Sequence, residues 1–134
     1  MNNKMEYVAF PIAAFVIAQL NITPAFALTT TTIALTCSSS KKLQTTIDGV
    51  TAGTVATINV SGTCNENIIV PRGKTIIING ATATSTITAA INTLPAVISN
   101  GDTTLNKMTI SNASGSADAV VATDAGGSIN IVAS

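Results

Sequence analysis

The chain has 134 residues, six basic and six acidic, for a formal net charge of zero, with no His and no Trp. Only 9% of residues are charged and 3% aromatic. That balance excludes the clustered basic face of a nucleic-acid binder and the polybasic segment of a protein held on anionic lipid.

The first 27 residues read as an export signal. Lys4 is the only cation near the start, Tyr7 to Leu20 form an apolar run broken by Pro11 and Gln19, and Ala25-Phe26-Ala27 closes it. A positive start, a short apolar core and an A-x-A site define a secretory signal. A membrane-spanning helix needs about 20 apolar residues, and this run is shorter, contains Pro11 and lacks a positively charged stop. The expected location is therefore extracellular, periplasmic or at a cell surface, with no membrane attachment after cleavage.

The remaining chain, residues 28–134, contains no aromatic residue, because Tyr7, Phe10, Phe15 and Phe26 all belong to the signal. Its core must be built from Ile, Val, Leu, Ala and Thr, which suits thin stacked layers. Ring stacking on sugars or single-stranded nucleic acid is excluded. Cys37 and Cys64 are the only cysteines. In an oxidising compartment an even pair predicts a disulfide, worth about 3.5 kcal/mol in the chain-entropy model. Two cysteines without a histidine make a poor metal site. Thr36 before Cys37, well past the apolar core, argues against a lipoprotein anchor.

Residues 28–36 are Thr-rich and apolar, a linker or a first edge strand; the domain proper is 37–134. Ser38 to Ser40 can supply an N-cap, Leu43, Ile47 and Val50 recur at helical spacing, and Asp48-Gly49 marks a stop. From Val55 on, short β-branched runs take over: Val55–Val60, Ile68–Val70, Thr75–Ile78, Thr86–Thr88, Ala96–Ile98, Met108–Ile110, Val120–Ala122 and Ile129–Val132. Gly62, Pro71 to Gly73, Asn79-Gly80, Asn100-Gly101, Asn112 to Gly115 and Gly126-Gly127 separate them as turn signals.

This pattern fits an antiparallel β-sandwich or a solenoid. The solenoid is preferred on three grounds. Ile69, Ile98 and Val121 recur with variable spacing, as coils with variable corners do. Asn79 and Asn100 stand at strand-to-turn boundaries where stacked amides bond neighbouring coils. The core residues are small. The expected fold is all-β, a right-handed parallel β-helix with a short N-terminal capping helix.

The segment Val60-Ser61-Gly62-Thr63-Cys64-Asn65-Glu66-Asn67-Ile68 resembles the first coil of secreted right-handed β-helix proteins of the pectin-lyase-like type. Leu105-Asn106-Lys107-Met108-Thr109-Ile110-Ser111-Asn112 resembles that family's recurring coil, and the likeness covers roughly Leu43 to Val132. It implies a helix capping the first coil, the place Leu43, Ile47 and Val50 would take. Family members with lyase or hydrolase activity use more coils and carry clustered Asp beside Arg or Lys in a long groove. Against that pattern residues 37–134 read as a truncated β-helix, whose last coil lacks a cap and offers an edge for self-association.

Candidate chemistry is sparse. Asp118 and Asp124 are the only nearby acidic pair, as glycan hydrolysis needs, but sit among Ala and Gly as turn residues do. Arg72 and Lys74 flank Gly73 and could contact an acidic polysaccharide; two cations on a corner are ordinarily plain surface. Glu66 is expected to satisfy backbone groups beside the disulfide. No residue set predicts a metal site or cofactor. The run Thr82-Ala83-Thr84-Ser85-Thr86-Ile87-Thr88 would, if extended, put four threonines on one face; ice-binding surfaces of some β-solenoids repeat such arrays coil after coil, but this run occurs once, and a Thr-rich corner or edge is the expected reading. Asn59-Val60-Ser61 and Asn112-Ala113-Ser114 fit the N-glycosylation pattern. The resulting expectation is a secreted, non-catalytic module with a structural role or a face for a polysaccharide or other cell-surface polymer. The alternatives are an N-terminal fragment of a polysaccharide lyase or glycosidase and an adhesin-like passenger segment.

Overall fold

A strand of three to six residues buries too little to stand alone, so the short β-branched runs must find partners elsewhere along the chain. The computed structural model describes residues 27–112, 119–122 and 127–132. The signal segment, Asp118 and Asp124 lie outside the described residues. In chain order the elements are β1 (Thr29–Thr36), α1 (Leu43–Asp48), β2 (Thr54–Ser61), β3 (Thr63–Asn65), β4 (Ile68–Val70), β5 (Thr75–Gly80), β6 (Thr86–Thr88), β7 (Val97–Ser99), β8 (Asp102–Asn106), β9 (Thr109–Ser111), β10 (Val120–Ala122) and β11 (Ser128–Val132).

Every strand pairing is parallel. Sheet A has the order β1-β2-β5-β8-β11, sheet B β3-β6-β9 and sheet C β4-β7-β10. Parallel neighbours cannot be joined by a hairpin; here β1 reaches β2 through α1, and from β2 onward the connection from each strand to its next neighbour passes through the other two sheets. The fold is thus a parallel β-solenoid of about four turns, each full coil giving one strand to each sheet, and the antiparallel sandwich is set aside. The 28–36 segment resolves as a strand, β1, on the edge of sheet A. Ile69, Ile98 and Val121, picked out in the sequence by their loose recurrence, are direct register partners.

The alternation of each strand decides what is inside. Ala56, Ile58 and Val60 of β2, Ile76 and Ile78 of β5, and Leu105 of β8 point inward from sheet A. Cys64 and Ile87 do so from sheet B, and Ile68, Val70 and Val97 from sheet C. In-register stacking makes columns such as Ile58–Ile78–Leu105. Each fully buried Ile or Val contributes about 1.5–3 kcal/mol relative to exposure, so the columns carry the burial that no single coil achieves. The buried Ser99 hydroxyl is satisfied, meeting the Gly101 carbonyl at 2.6 Å and Thr103 Oγ1 at 2.7 Å.

Corners are tight where Gly permits. Gly62 joins β2 to β3 in the left-handed region at φ 77°, which only glycine adopts without cost. Gly80 is fixed for another reason: a Cβ there would collide with the backbone carbonyl of Lys107 in the next coil.

The first coil is closed by α1. Leu43, Ile47 and Val50 are all buried against the core, as their helical spacing predicts. The N-cap differs from expectation. Lys42 occupies the cap position without a side-chain bond, and the free helix N–H groups go to Glu66, whose Oε1 accepts from Leu43 N at 2.7 Å and Oε2 from Gln44 N at 3.1 Å. Ser38 instead accepts from Lys41 N at 3.0 Å in the preceding turn. The helix starts too far from the serines for them to reach it, whereas β3 delivers Glu66 directly beneath it. Gln44 then completes the coil's lower edge: its Oε1 accepts from Ile69 N at 2.7 Å and its Nε2 donates to Ile69 O at 2.9 Å. The side-chain amide replaces the strand that β4 lacks on that side. Cys37 and Cys64 are bonded, tying the segment after β1 to β3.

Two measurements test this closure. The Cys37→Ser/Cys64→Ser variant frees a loop of sequence separation 27 and should lose about 3.5 kcal/mol in urea unfolding. Glu66→Ala strands two helix N–H groups and should cost about 2–4 kcal/mol; an unchanged urea midpoint would refute Glu66 as the cap.

Candidate functional site

The outward positions of the strands, free of core duty, define the surface. On sheet A, register stacks Thr32, Thr57, Ile77, Thr104 and Asn130 in one column. A second column runs Ala34, Asn59, Asn79, Asn106 and Val132, and within it Asn79 Nδ2 donates to Asn59 Oδ1 at 3.2 Å. A third column holds Thr30, Val55, Thr75, Asp102 and Ser128. With strands roughly 4.8 Å apart, five of them span about 20 Å. This broad face is made of hydroxyl, amide and methyl groups, with Asp102 its single charge among the described residues.

Sheet B carries a smaller and more regular array. Thr63, Thr86 and Thr109 stack in one column, and Asn65, Thr88 and Ser111 in the next. Cys64 and Ile87 between them point inward, which places the two polar columns on the outer face. The run Thr82 to Thr88 is a Thr-rich corner followed by a short strand, not one continuous extended face. Thr82 to Ser85 form a turn, closed by Ser85 N to Thr82 O at 3.1 Å. The buried Ser85 hydroxyl anchors it by donating to Val60 O at 2.7 Å. Of its threonines only Thr86 and Thr88 lie in a strand; Thr86 has threonine in the coils on either side, whereas Thr88 stacks between Asn65 and Ser111, so the alternating array itself occurs once. The signal for the threonine column was present in the equal spacing of Thr63, Thr86 and Thr109, but β3 holds a single inward residue and shows no apolar run.

Sheet C is different again. Its outward column is Ile69, Ile98 and Val121, beside a β6–β7 connection exposing Ile91 and Leu94. Asn67 staples that connection: its Nδ2 donates to Ile91 O at 3.1 Å and Pro95 O at 2.9 Å, and its Oδ1 accepts from Ile91 N at 2.7 Å. From the coil above, Asn112 Nδ2 donates to Leu94 O at 3.0 Å. The Asn of each glycosylation pattern thus has a partner in the fold, Asn79 for Asn59 and Leu94 for Asn112.

The sequence-derived cations separate. Arg72 is exposed on the corner between β4 and β5. Lys74 turns back, its Nζ donating to Ile47 O and Asp48 O, each at 2.8 Å. It thereby neutralises the carbonyl end of α1, where positive charge is favourable. Cys37, Cys64 and Glu66 lie close together, but the sulfurs are bonded to each other and the carboxylate holds α1, so the trio is structural. A concavity of about 620 Å³ at the A–B corner is lined by Thr82, Lys107, Thr109, Ile131 and Val132 among others. Lys107 is its one charged lining residue. Ile131 and Val132, on the coil expected to self-associate, are 61% and 43% exposed.

Comparison with protein-family models, curated proteins and solved structures returns no match.

The two cations should respond differently to substitution. Lys74→Met removes two charge-assisted bonds and should lower stability by about 1.5–3 kcal/mol. Arg72→Ala should stay within about 0.5 kcal/mol of wild type. Thermal melts of the two variants side by side check the contrast.

Proposed function

We propose that the chain is an exported, non-catalytic β-helix module, right-handed and of the pectin-lyase-like type, that lays the outer face of sheet A against a polysaccharide or comparable cell-surface polymer. The observation that carries this reading is the in-register face itself. Three columns rich in hydroxyl and amide groups, interrupted by Ile77, Val55, Ala34 and Val132, repeat at the strand spacing, so one extended ligand can meet polar groups on each successive coil. Hydroxyl and amide groups donate and accept at once, which suits the hydroxyls of a sugar chain. The almost uncharged face favours a neutral polymer, and the engagement of Lys74 by α1 leaves the Arg72 corner a weak cationic site. Secretion is supported by the signal-like segment at residues 1–27 and by the disulfide, which persists in oxidising compartments.

Sedimentation with insoluble neutral polysaccharides tests the reading. Wild type should co-sediment saturably, and Thr57→Lys, in the middle of the sheet A face, should weaken binding by about tenfold, roughly 1.4 kcal/mol. Equal binding by the variant, or a folded wild type left wholly in the supernatant, would overturn the assignment.

A further inference from the structure

Among the described residues β11 is an edge strand of sheet A, bonded to β8 on one side only. Its backbone groups are divided between the two sides. Ser128 N donates to Gly101 O at 2.9 Å, and Val132 O accepts from Lys107 N at 3.2 Å. By alternation Ser128, Asn130 and Val132 serve β8, and the N–H and C=O groups of Ile129 and Ile131 face away from it. The side chains of the same two residues continue the inward columns Ile76–Thr103–Ile129 and Ile78–Leu105–Ile131. Ile131 is nevertheless 61% exposed, because no further strand of sheet A lies over it.

We infer that this edge is covered by a second copy of the chain, the two last coils meeting about a two-fold axis with β11 antiparallel to its counterpart. The pattern of β11 is its own complement: Ser128-Ile129-Asn130-Ile131-Val132 places one isoleucine on each side of Asn130. Antiparallel pairing centred on Asn130 sets Ile129 opposite Ile131 of the other copy, and Ile131 opposite its Ile129. These are the residues whose backbone groups face outward, so each pair exchanges two bonds and four close the edge. Their side chains meet on the inner side and extend the core across the junction. Asn130 faces its own counterpart on the outer surface, as a pair without main-chain bonds. A shift by one residue would oppose Ile131 to Asn130 and lose both the bonds and the apolar contact.

Charge agrees with a second copy. β9, β10 and β11 hold no ionisable side chain, so the strand edges meet without repulsion. β11 also lacks the Lys, the Pro and the bulge that ordinarily block edge pairing. The other edge of sheet A, β1, shares its end of the solenoid with α1 and the exposed Lys41, Lys42 and Asp48. A coil stacked there would bury those charges at a cost. Association therefore closes at two copies instead of continuing as a filament. In the dimer the two A sheets join into ten strands spanning about 43 Å, though the pairing itself does not rest on polymer binding.

Sedimentation equilibrium of the purified chain tests this. The mass should rise with concentration from one copy to two and level off there. Ile131→Pro removes an N–H that faces away from β8, and should stay monomeric with an unchanged circular dichroism spectrum. Should that variant fail to fold, Asn130→Cys, on the outer surface, reads the register directly. Cys37 and Cys64 are already bonded to each other, so the new thiol has only its own counterpart to meet, about 4.5 Å away between Cα atoms. Mild oxidation should cross-link most of that variant as a dimer. Ser128→Cys lies about 14 Å from its counterpart in the same register, beyond the reach of a disulfide, and should not cross-link. Thr57→Lys should dimerise as wild type does, which separates this inference from polymer binding. A wild type that stays monomeric, or one that grows beyond two copies, overturns the inference. So does a folded Ile131→Pro that still dimerises, or Ser128→Cys cross-linking as completely as Asn130→Cys.

Discussion

The main-chain pairing of each coil with the coils above and below is the constraint from which everything else in this molecule follows. A backbone N–H or C=O buried without a partner costs free energy comparable to a lost hydrogen bond. In a parallel ladder the partner lies a full coil away in sequence. The register Val55–Thr75–Asp102–Ser128 therefore fixes the inward columns, the outward columns and the points at which chain length can vary. In the connection between β6 and β7, side chains satisfy the backbone that the added length frees. The longer path between β6 and β7 exists because Asn67 and Asn112 bond the carbonyls of Ile91, Leu94 and Pro95 from below and above.

The same requirement governs the start of the stack, where β3 and β4 of the first coil have no strand beneath them. Side chains stand in for the missing backbone. Gln44 gives Ile69 the donor and acceptor that a lower strand would have given. Glu66 receives the first helix N–H groups and Lys74 donates to the last carbonyls, so α1 has both termini neutralised by residues of the coil it covers. Removing one of these groups affects more than one bond, because α1 positions Leu43 and Ile47 over the core. Charge is concentrated in the cap as a consequence, and the sheet faces are left nearly free of it.

How much of this was legible in the sequence depended on the number of inward residues per strand. β2, with Ala56, Ile58 and Val60 inward, and β4, with Ile68 and Val70, announced themselves as apolar or alternating runs. β3 and β8 did not: Thr63-Cys64-Asn65 has one inward residue, and Asp102-Thr103-Thr104-Leu105-Asn106 has Thr103 where the pattern expects an aliphatic side chain. Thr103 is tolerated because Ser99 bonds its hydroxyl, a contact no local pattern encodes. The capping helix was readable from the spacing of Leu43, Ile47 and Val50, and the disulfide from the even cysteine count. The cap carboxylate was expected only as a residue satisfying backbone near the disulfide. Gln44 and Lys74 were beyond reach, since each acts on residues about one coil away and their local sequence is that of any helix face or corner.

The outward columns can be weighed against one another because they share one scaffold. Every outward position in a parallel sheet accepts a β-branched residue, so propensity alone does not separate Thr from Ile or Val. Sheet C fills its outward column with Ile69, Ile98 and Val121, and sheet B, in the same coils, fills its own with Thr63, Thr86 and Thr109. The backbone demand is equal in the two sheets; the hydroxyl is the difference. Burial cannot account for it either, since outward side chains leave the core composition unchanged. What distinguishes the sheets is thus the surface chemistry each offers, apolar on one side of the solenoid and hydroxyl on another.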